Sequence, residues 1–274
     1  MSIVLVRRRY VCAYESGPRP LERLGPQIGP LARLSSPFTV LSSAVTDQKI
    51  IALTYDDGPD PEHTPQVLDA LRDIGISATF FVLAEHAVRH PELIRRMIEE
   101  GHEVGLHGHD HDRVSALDFR VSIQSILKAR ATLSRLTGRT VRWYRPAYGA
   151  IRMSQLVALR AAGLDIPVWT AWARDWEDIP TPVLVDRAVA ALHPGGILLL
   201  HDASSGMLPD AEGATSVPTF DRGELTRGLA RAILDEGYVA LTLSDLAKAA
   251  PQARVPWFER KSTARAALSP DKNG

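Results

Sequence analysis

From Lys49 onward, short apolar runs alternate with stretches of helical period, and this alternation restricts the fold more than any other feature of the chain. The candidate strands are Ile50–Thr54, Ala78–Leu83, Glu103–His107, Val141–Tyr144, Ile166–Ala173, Ile197–His201 and Val239–Thr242. Helical stretches lie between them at Pro65–Ile74, Pro91–Glu100, Ala116–Leu136, Ser154–Ala162, Pro182–Leu192 and Gly223–Asp235. Gly75, Gly101, Gly138, Gly163 and Gly237 stand where helix C-caps are expected. A strand–helix repeat at this spacing demands a parallel sheet covered by helices, either open and doubly wound or closed as a barrel.

The repeat divides the chain into three parts. Residues 1–48 carry scattered Pro and Gly with one short apolar run, Phe38–Leu41, and read as an irregular N-terminal extension. The repeat itself fills 49–250, and residues 251–274 mix charged and small side chains as a tail expected to be flexible at its end. Within the repeat, the Ser/Gly/Pro-rich segment Ala203–Phe220 directly follows the sixth strand and has the length of a functional loop over a site.

Charge and cysteine usage exclude several functions. The 274 residues carry 32 Lys+Arg against 32 Asp+Glu, so no overall field attracts a polyanion, and no local basic patch makes nucleic acid an expected partner. The single cysteine, Cys12, rules out a disulfide framework and a thiolate metal centre. No apolar run reaches the roughly 18–20 residues of a membrane helix. At the N-terminus the charges Arg7-Arg8-Arg9 follow the apolar run Ile3–Val6 instead of preceding a longer one. This order is the reverse of a secretory signal, and a cytoplasmic location is expected.

In a parallel βα fold, polar residues at the carboxyl ends of strands converge on one face. Here those ends carry Thr54-Tyr55-Asp56-Asp57-Gly58-Pro59, His107-Gly108-His109-Asp110-His111, Arg145-Pro146-Ala147-Tyr148-Gly149, Asp175-Trp176 and His201-Asp202. Adjacent carboxylates at a strand end repel one another, so a cation or an arginine is expected opposite Asp56 and Asp57. His107 and His111 are four apart and face the same way if the chain turns helically, which would let them share one ion with a carboxylate. The stretch His102–His111 holds four histidines, and spacing alone leaves the ligand set open among them. A two-His, one-carboxylate set leaves coordination positions free for water and substrate, as a catalytic site requires. Each motif has an ordinary reading as well: Asp-Asp-Gly-Pro is a turn signal, Arg145 suits a surface ion pair, and Trp169, Trp172 and Trp176 suit packing. Their occurrence together at one end of successive strands favours a single mechanism.

Taken in order, these five motifs resemble those of the polysaccharide deacetylases, carbohydrate esterase family 4, over about residues 49–248. The resemblance implies an α/β fold, a distorted seven-stranded parallel (β/α) barrel, that removes acetyl groups from N-acetylated sugars such as N-acetylglucosamine with a divalent metal, zinc first and cobalt or nickel as alternatives. By the same resemblance, Asp57, His107 and His111 are metal ligands and Asp56 is the general base, oriented and tuned by Arg145. His201 is the general acid, kept charged by Asp175. Leu199 and Trp176 line the pocket for the acetyl methyl, and the backbone N–H of Tyr148 helps hold the oxyanion.

The chain departs from the family pattern at Gly108, where a Ser or Thr is usual, at Ala147 in place of Pro and at Tyr55 in place of Phe. The expected substrate is an N-acetylamino sugar, as an oligosaccharide, a glycolipid or a small biosynthetic intermediate. Two alternatives are hydrolysis of a non-sugar C–N bond, as in a cyclic imide or ureide, and a catalytically silent carbohydrate-binding relative. Relatives of the first kind often lose part of the metal triad and those of the second tend to lose the base or the acid, whereas all of these residues are present here.

Overall fold

The computed structural model describes residues 36–204 and 217–259. At its centre runs β2 (Ile50–Asp56), whose residues after Ile50 are all buried, as a strand covered on both faces must be. All its neighbours are parallel: β6 (Ile197–His201) pairs along one edge from Ala52 to Asp56. The other edge is shared by β7 (Val239–Leu241), along Ile50–Ala52, and β3 (Thr79–Leu83), along Thr54–Asp56. Beyond these lie β4 (Glu103–Gly108) next to β3 and the short β5 (Ala171–Trp172) next to β6.

Helices follow the strands. They are α1 (His63–Ile74), α2 (Ala84–Arg89), α3 (Pro91–Glu99), α4 (Phe119–Thr137), α5 (Met153–Ala161), α6 (Thr181–Ala191), α7 (Arg222–Asp235) and α8 (Leu243–Ala249). α1 buries Val67, Leu68 and Leu71, the three apolar residues that its sequence places on one face, and packs against α7. The five glycines expected at helix ends all have positive φ, from 65° to 84°. Among the described residues no helix is long and apolar enough to cross a membrane.

The fold is the parallel α/β arrangement expected, with two strands less regular than their sequences suggest. Val141–Tyr144 contributes only single parallel bridges, Leu106 with Tyr144 and Trp143 with Asp165. Of Ile166–Ala173, only Ala171–Trp172 joins a ladder, because Pro167 has no N–H to donate and interrupts the run. Ile166–Val168 bonds instead to Leu41, whose N–H donates to Ile166 O and whose carbonyl accepts from Val168 N–H, both at 2.8 Å.

Leu41 belongs to a strand the apolar run Phe38–Leu41 only hinted at. β1 (Val40–Ala44) and β8 (Gln252–Val255) form a separate antiparallel pair with a register shift between Leu41 and Ser43. Residues 252–259 are therefore packed structure rather than flexible tail: Trp257 is fully buried and the Glu259 side chain is too. The rest of the expected tail, the extension before residue 36 and most of the Ala203–Phe220 loop lie outside the described residues.

Gly195 ties β1 to the main sheet. Its carbonyl accepts from Ala44 N–H and its N–H donates to Ile50 O, each at 2.8 Å. At φ 76° a Cβ there would stand 2.1 Å from Ala44 O, so no side chain fits without moving the strand. We expect Gly195→Ala to lower stability by about 2–4 kcal/mol in denaturant unfolding, combining left-handed strain with the clash.

Candidate active site

The β2–β6 register sets Asp56 directly beside His201, and by strand alternation Leu199 shares the His201 face. Neighbouring residues of a regular strand point to opposite faces, yet Asp57 is also buried at the site. It achieves this by leaving the strand with φ 82°, a left-handed conformation that Asp tolerates better than most residues. Both carboxylates thereby serve one centre.

His107 is the penultimate residue of β4, and His111 follows across the intervening loop. Asp57 Oδ1 lies 3.3 Å from His107 Nε2 and 3.2 Å from His111 Nε2. Ligand atoms at 2.0–2.2 Å from one tetrahedral ion stand ~3.3 Å apart, so this spacing fits a shared cation. The outer contacts point the same way. His107 Nδ1 is 2.8 Å from the Arg145 carbonyl, which only accepts, so the ring proton sits on Nδ1 and the Nε2 lone pair faces the carboxylate. A lone pair held against a buried carboxylate oxygen is repulsive until a cation stands between them. His111 Nδ1 lies 3.1 Å from the Tyr148 hydroxyl, a group able to accept from it as the Arg145 carbonyl does from His107.

His109 is outside this group. It is exposed and, with Asp110, lies near Glu85 instead. Gly108, the departure from the family pattern, has a physical cause: a Cβ there would lie 2.5 Å from Asp110 O, so this histidine loop is built around the absence of a side chain. Tyr55, where Phe is usual, faces away from the site and donates to Thr226 Oγ1 at 3.1 Å.

Arg145 is fully buried. Its Nη1 donates to Asp56 Oδ1 at 2.8 Å and to Thr54 Oγ1 at 2.9 Å, while its guanidinium carbon stands 4.2 Å from the Phe81 ring centroid and 5.8 Å from that of Trp169. The planar cation is thus clamped between aromatic faces with one carboxylate in line.

Across the site, Asp175 is fully buried and accepts from His201 through Oδ1 to ring Nδ1 at 2.9 Å and through Oδ2 to the backbone N–H at 2.8 Å. Burial opposes charge on the imidazole, but the Asp175 carboxylate overcomes it, and with Asp57 and Asp56 adding to the field the His201 pKa is pushed up to about 9. Burial likewise works against the Asp175 carboxylate, and His201 and Arg222 hold it below the usual range. Trp176 sets its ring edge-on to His201, with centroids 5.8 Å apart, and packs on Trp172. Tyr148 occupies the turn Ala147–Gly149 with φ 60°.

Three supporting residues are not assigned a role from the sequence. Arg222, at the start of α7, donates to the His201 carbonyl at 2.8 Å and reaches Asp175 Oδ2 at 3.4 Å. Asp202 accepts from Gly58 N–H at 3.2 Å and from Thr64 Oγ1 at 2.6 Å, pinning the turn after Asp57; burial, reinforced by Asp57, raises its pKa to about 7. Asp202 stands out in the sequence only as the neighbour of His201, and Thr64 only as a residue of the first helical turn.

The geometry brings an Asp57/His107/His111 group and an Asp175–His201 pair together at one end of an α/β sheet. Residues 43–167 match the family model for polysaccharide deacetylase. A chitooligosaccharide deacetylase of Sinorhizobium fredii is 38% identical over 197 residues, spanning 70% of this chain and 89% of the relative. A peptidoglycan-N-acetylglucosamine deacetylase of Bacillus cereus is 33% identical over 58% of each chain. Among solved structures, the peptidoglycan deacetylase PdaC of Bacillus subtilis superposes with a TM-score of 0.63 at 29% identity, covering 74% of this chain and 91% of that one. The chain belongs to the polysaccharide deacetylase family, carbohydrate esterase family 4, and is an N-deacetylase hydrolase of a metal-dependent family.

Because the His201 pKa is raised, its protonated form stabilises the fold fully below the ordinary imidazole value of about 6.5. That contribution is lost as the pH rises through about 9. NMR titration of the His201 ring is expected to show this high midpoint, and Asp175→Asn to lower it by about 1–3 units. An unmoved midpoint in that variant would remove Asp175 as the cause.

Proposed function

We propose that the protein hydrolyses the acetamide of N-acetylglucosamine units in a chitooligosaccharide or peptidoglycan-type glycan, releasing acetate and the free amine. The observation that carries this reading is the pairing of Asp56, bound to Arg145, with His201, bound to Asp175, on adjacent strands beside the Asp57–His107–His111 group. The relatives named above act, by their names, on these two glycans.

Asp57, His107 and His111 would hold a divalent metal, zinc first with cobalt or nickel as alternatives. Bound there, it supplies Lewis-acid polarisation of the acetyl carbonyl and lowers the pKa of water toward about 7. Asp56, beside the ligand Asp57 yet held by Arg145, takes the proton of the attacking water. Arg145 aims the Asp56 carboxylate, with which its own buried charge is paired. The backbone N–H of Tyr148 donates to the oxyanion as the carbonyl becomes tetrahedral, an interaction of the kind worth about 3 kcal/mol in the transition state. An amine is a poor leaving group until protonated, and His201, with its pKa near 9, carries the proton to be given at neutral pH. Leu199 and Trp176, both buried, make the apolar wall against the acetyl methyl.

Acetate release from N-acetylchitooligosaccharides and from peptidoglycan fragments tests the reading. Chelator-sensitive release from either, restored by zinc, cobalt or nickel, is the expected result; silence on both with metal bound would overturn it. Asp56→Asn is expected to lower kcat/KM by about 10²–10⁴-fold with metal content intact. His107→Ala should lose metal and activity together, and an unchanged metal content in that variant would remove His107 from the ligand set.

A further inference from the structure

The segment after β8 returns to the site from the far end of the described chain, with the Trp257 side chain ending on the Tyr148 turn and the Glu259 side chain on Arg113 and Ser115. Trp257 is fully buried, and its indole Nε1 donates to Gly149 O at 2.8 Å. Gly149 has φ 61°, and a Cβ there would stand 3.1 Å from the Trp169 ring and 3.4 Å from the Trp257 ring, so the turn is closed tightly over both indoles. Two residues on, Glu259 N–H donates to Ile151 O at 2.8 Å. The Glu259 carboxylate, with no side-chain exposure, accepts from the Arg113 guanidinium and the Ser115 hydroxyl.

Arg113 connects this buried carboxylate to the site. Its guanidinium lies 5.3 Å from the centroid of the Tyr148 ring. The Tyr148 hydroxyl is the group 3.1 Å from His111 Nδ1, and the two rings pack edge to face with centroids 4.6 Å apart. His111 Nε2 in turn faces Asp57 at 3.2 Å.

We propose that Glu259 is a positioning residue for the metal group: its carboxylate fixes Arg113 over the Tyr148 ring, and Tyr148 holds His111 through the hydroxyl that accepts from His111 Nδ1–H. This assignment rests on the reading of His111 as a metal ligand. A ligating imidazole is held in tautomer and orientation by the partner of its other nitrogen, and loss of such a partner typically weakens metal binding 10–100-fold. Removing the Glu259 charge leaves the largely buried Arg113 without this carboxylate, and the guanidinium is drawn off the ring toward water. Trp257 acts on the same turn through the backbone, which explains why the two residues arrive together.

The test uses the full chain, with zinc affinity measured by chelator competition and the visible spectrum of the cobalt-substituted protein. His111→Ala is expected to abolish binding, which checks the ligand reading by itself; metal retained in that variant would overturn that reading and the inference with it. With that loss in hand, Glu259→Gln and Tyr148→Phe are each expected to weaken zinc binding roughly tenfold and to alter the cobalt spectrum. The double variant is expected to be no weaker than the weaker single, because both act through one path. Glu259→Asp should recover part of the affinity. Zinc affinity and a cobalt spectrum unchanged in Glu259→Gln, or losses that multiply in the double variant, would overturn the inference. Tyr148→Phe leaves the 252–259 segment untouched, so unchanged binding in that variant overturns the inference even if Glu259→Gln does not fold.

Discussion

A guanidinium with no solvent exposure has to be neutralised where it stands, and in this fold Arg145 organises the site around that requirement. Its charge is matched by Asp56, its plane is held between Phe81 and Trp169, and its backbone carbonyl fixes the His107 ring. One residue therefore pairs with the Asp56 carboxylate, sets the tautomer of His107 and packs between two aromatic rings of the core. Breaking a buried pair of this kind by removing one partner typically costs about 3–5 kcal/mol, because the other charge is left uncompensated.

Asp56 faces a cation and Asp175 faces His201, so the carboxylate on one strand and the imidazolium on its neighbour each have an opposite charge nearby. A carboxylate and an imidazolium thus sit side by side on neighbouring strands. Among the described residues, the three non-glycine positions with positive φ, Asp57, Tyr148 and Arg174, all lie in loops of this face. Local strain of order 1–3 kcal/mol each is sustained there by the surrounding core, and at Asp57 its use is visible: it turns a second carboxylate into the site that the strand period would have sent away.

Much of this was legible from residues alone. The glycines that end helices and the motifs at strand ends act locally, through backbone freedom and the period of a strand, so linear spacing exposes them. β1 was nearly invisible because its partner β8 lies more than 200 residues away and neither strand has the alternation of an independent hairpin; Ser42 Oγ, for example, bonds to Ala253 O. Pro167 hid the break in the fifth strand, since an apolar run reads as a strand whether or not each N–H is available. Arg222 and Glu259 look like surface charges in sequence, and both are buried against carboxylate, hydroxyl or guanidinium partners brought from distant segments.

The sequence by itself determined the parallel α/β alternation and the order of the motifs at its strand ends, because period, caps and motif order are properties of neighbouring residues. Only the tertiary structure decided which histidines face Asp57, that Gly108 is required by Asp110 O, and that the 252–259 segment underpins the Tyr148 turn. Those outcomes depend on which atoms a folded chain brings within hydrogen-bonding distance and shields from water, and burial and long-range pairing have no expression in linear spacing.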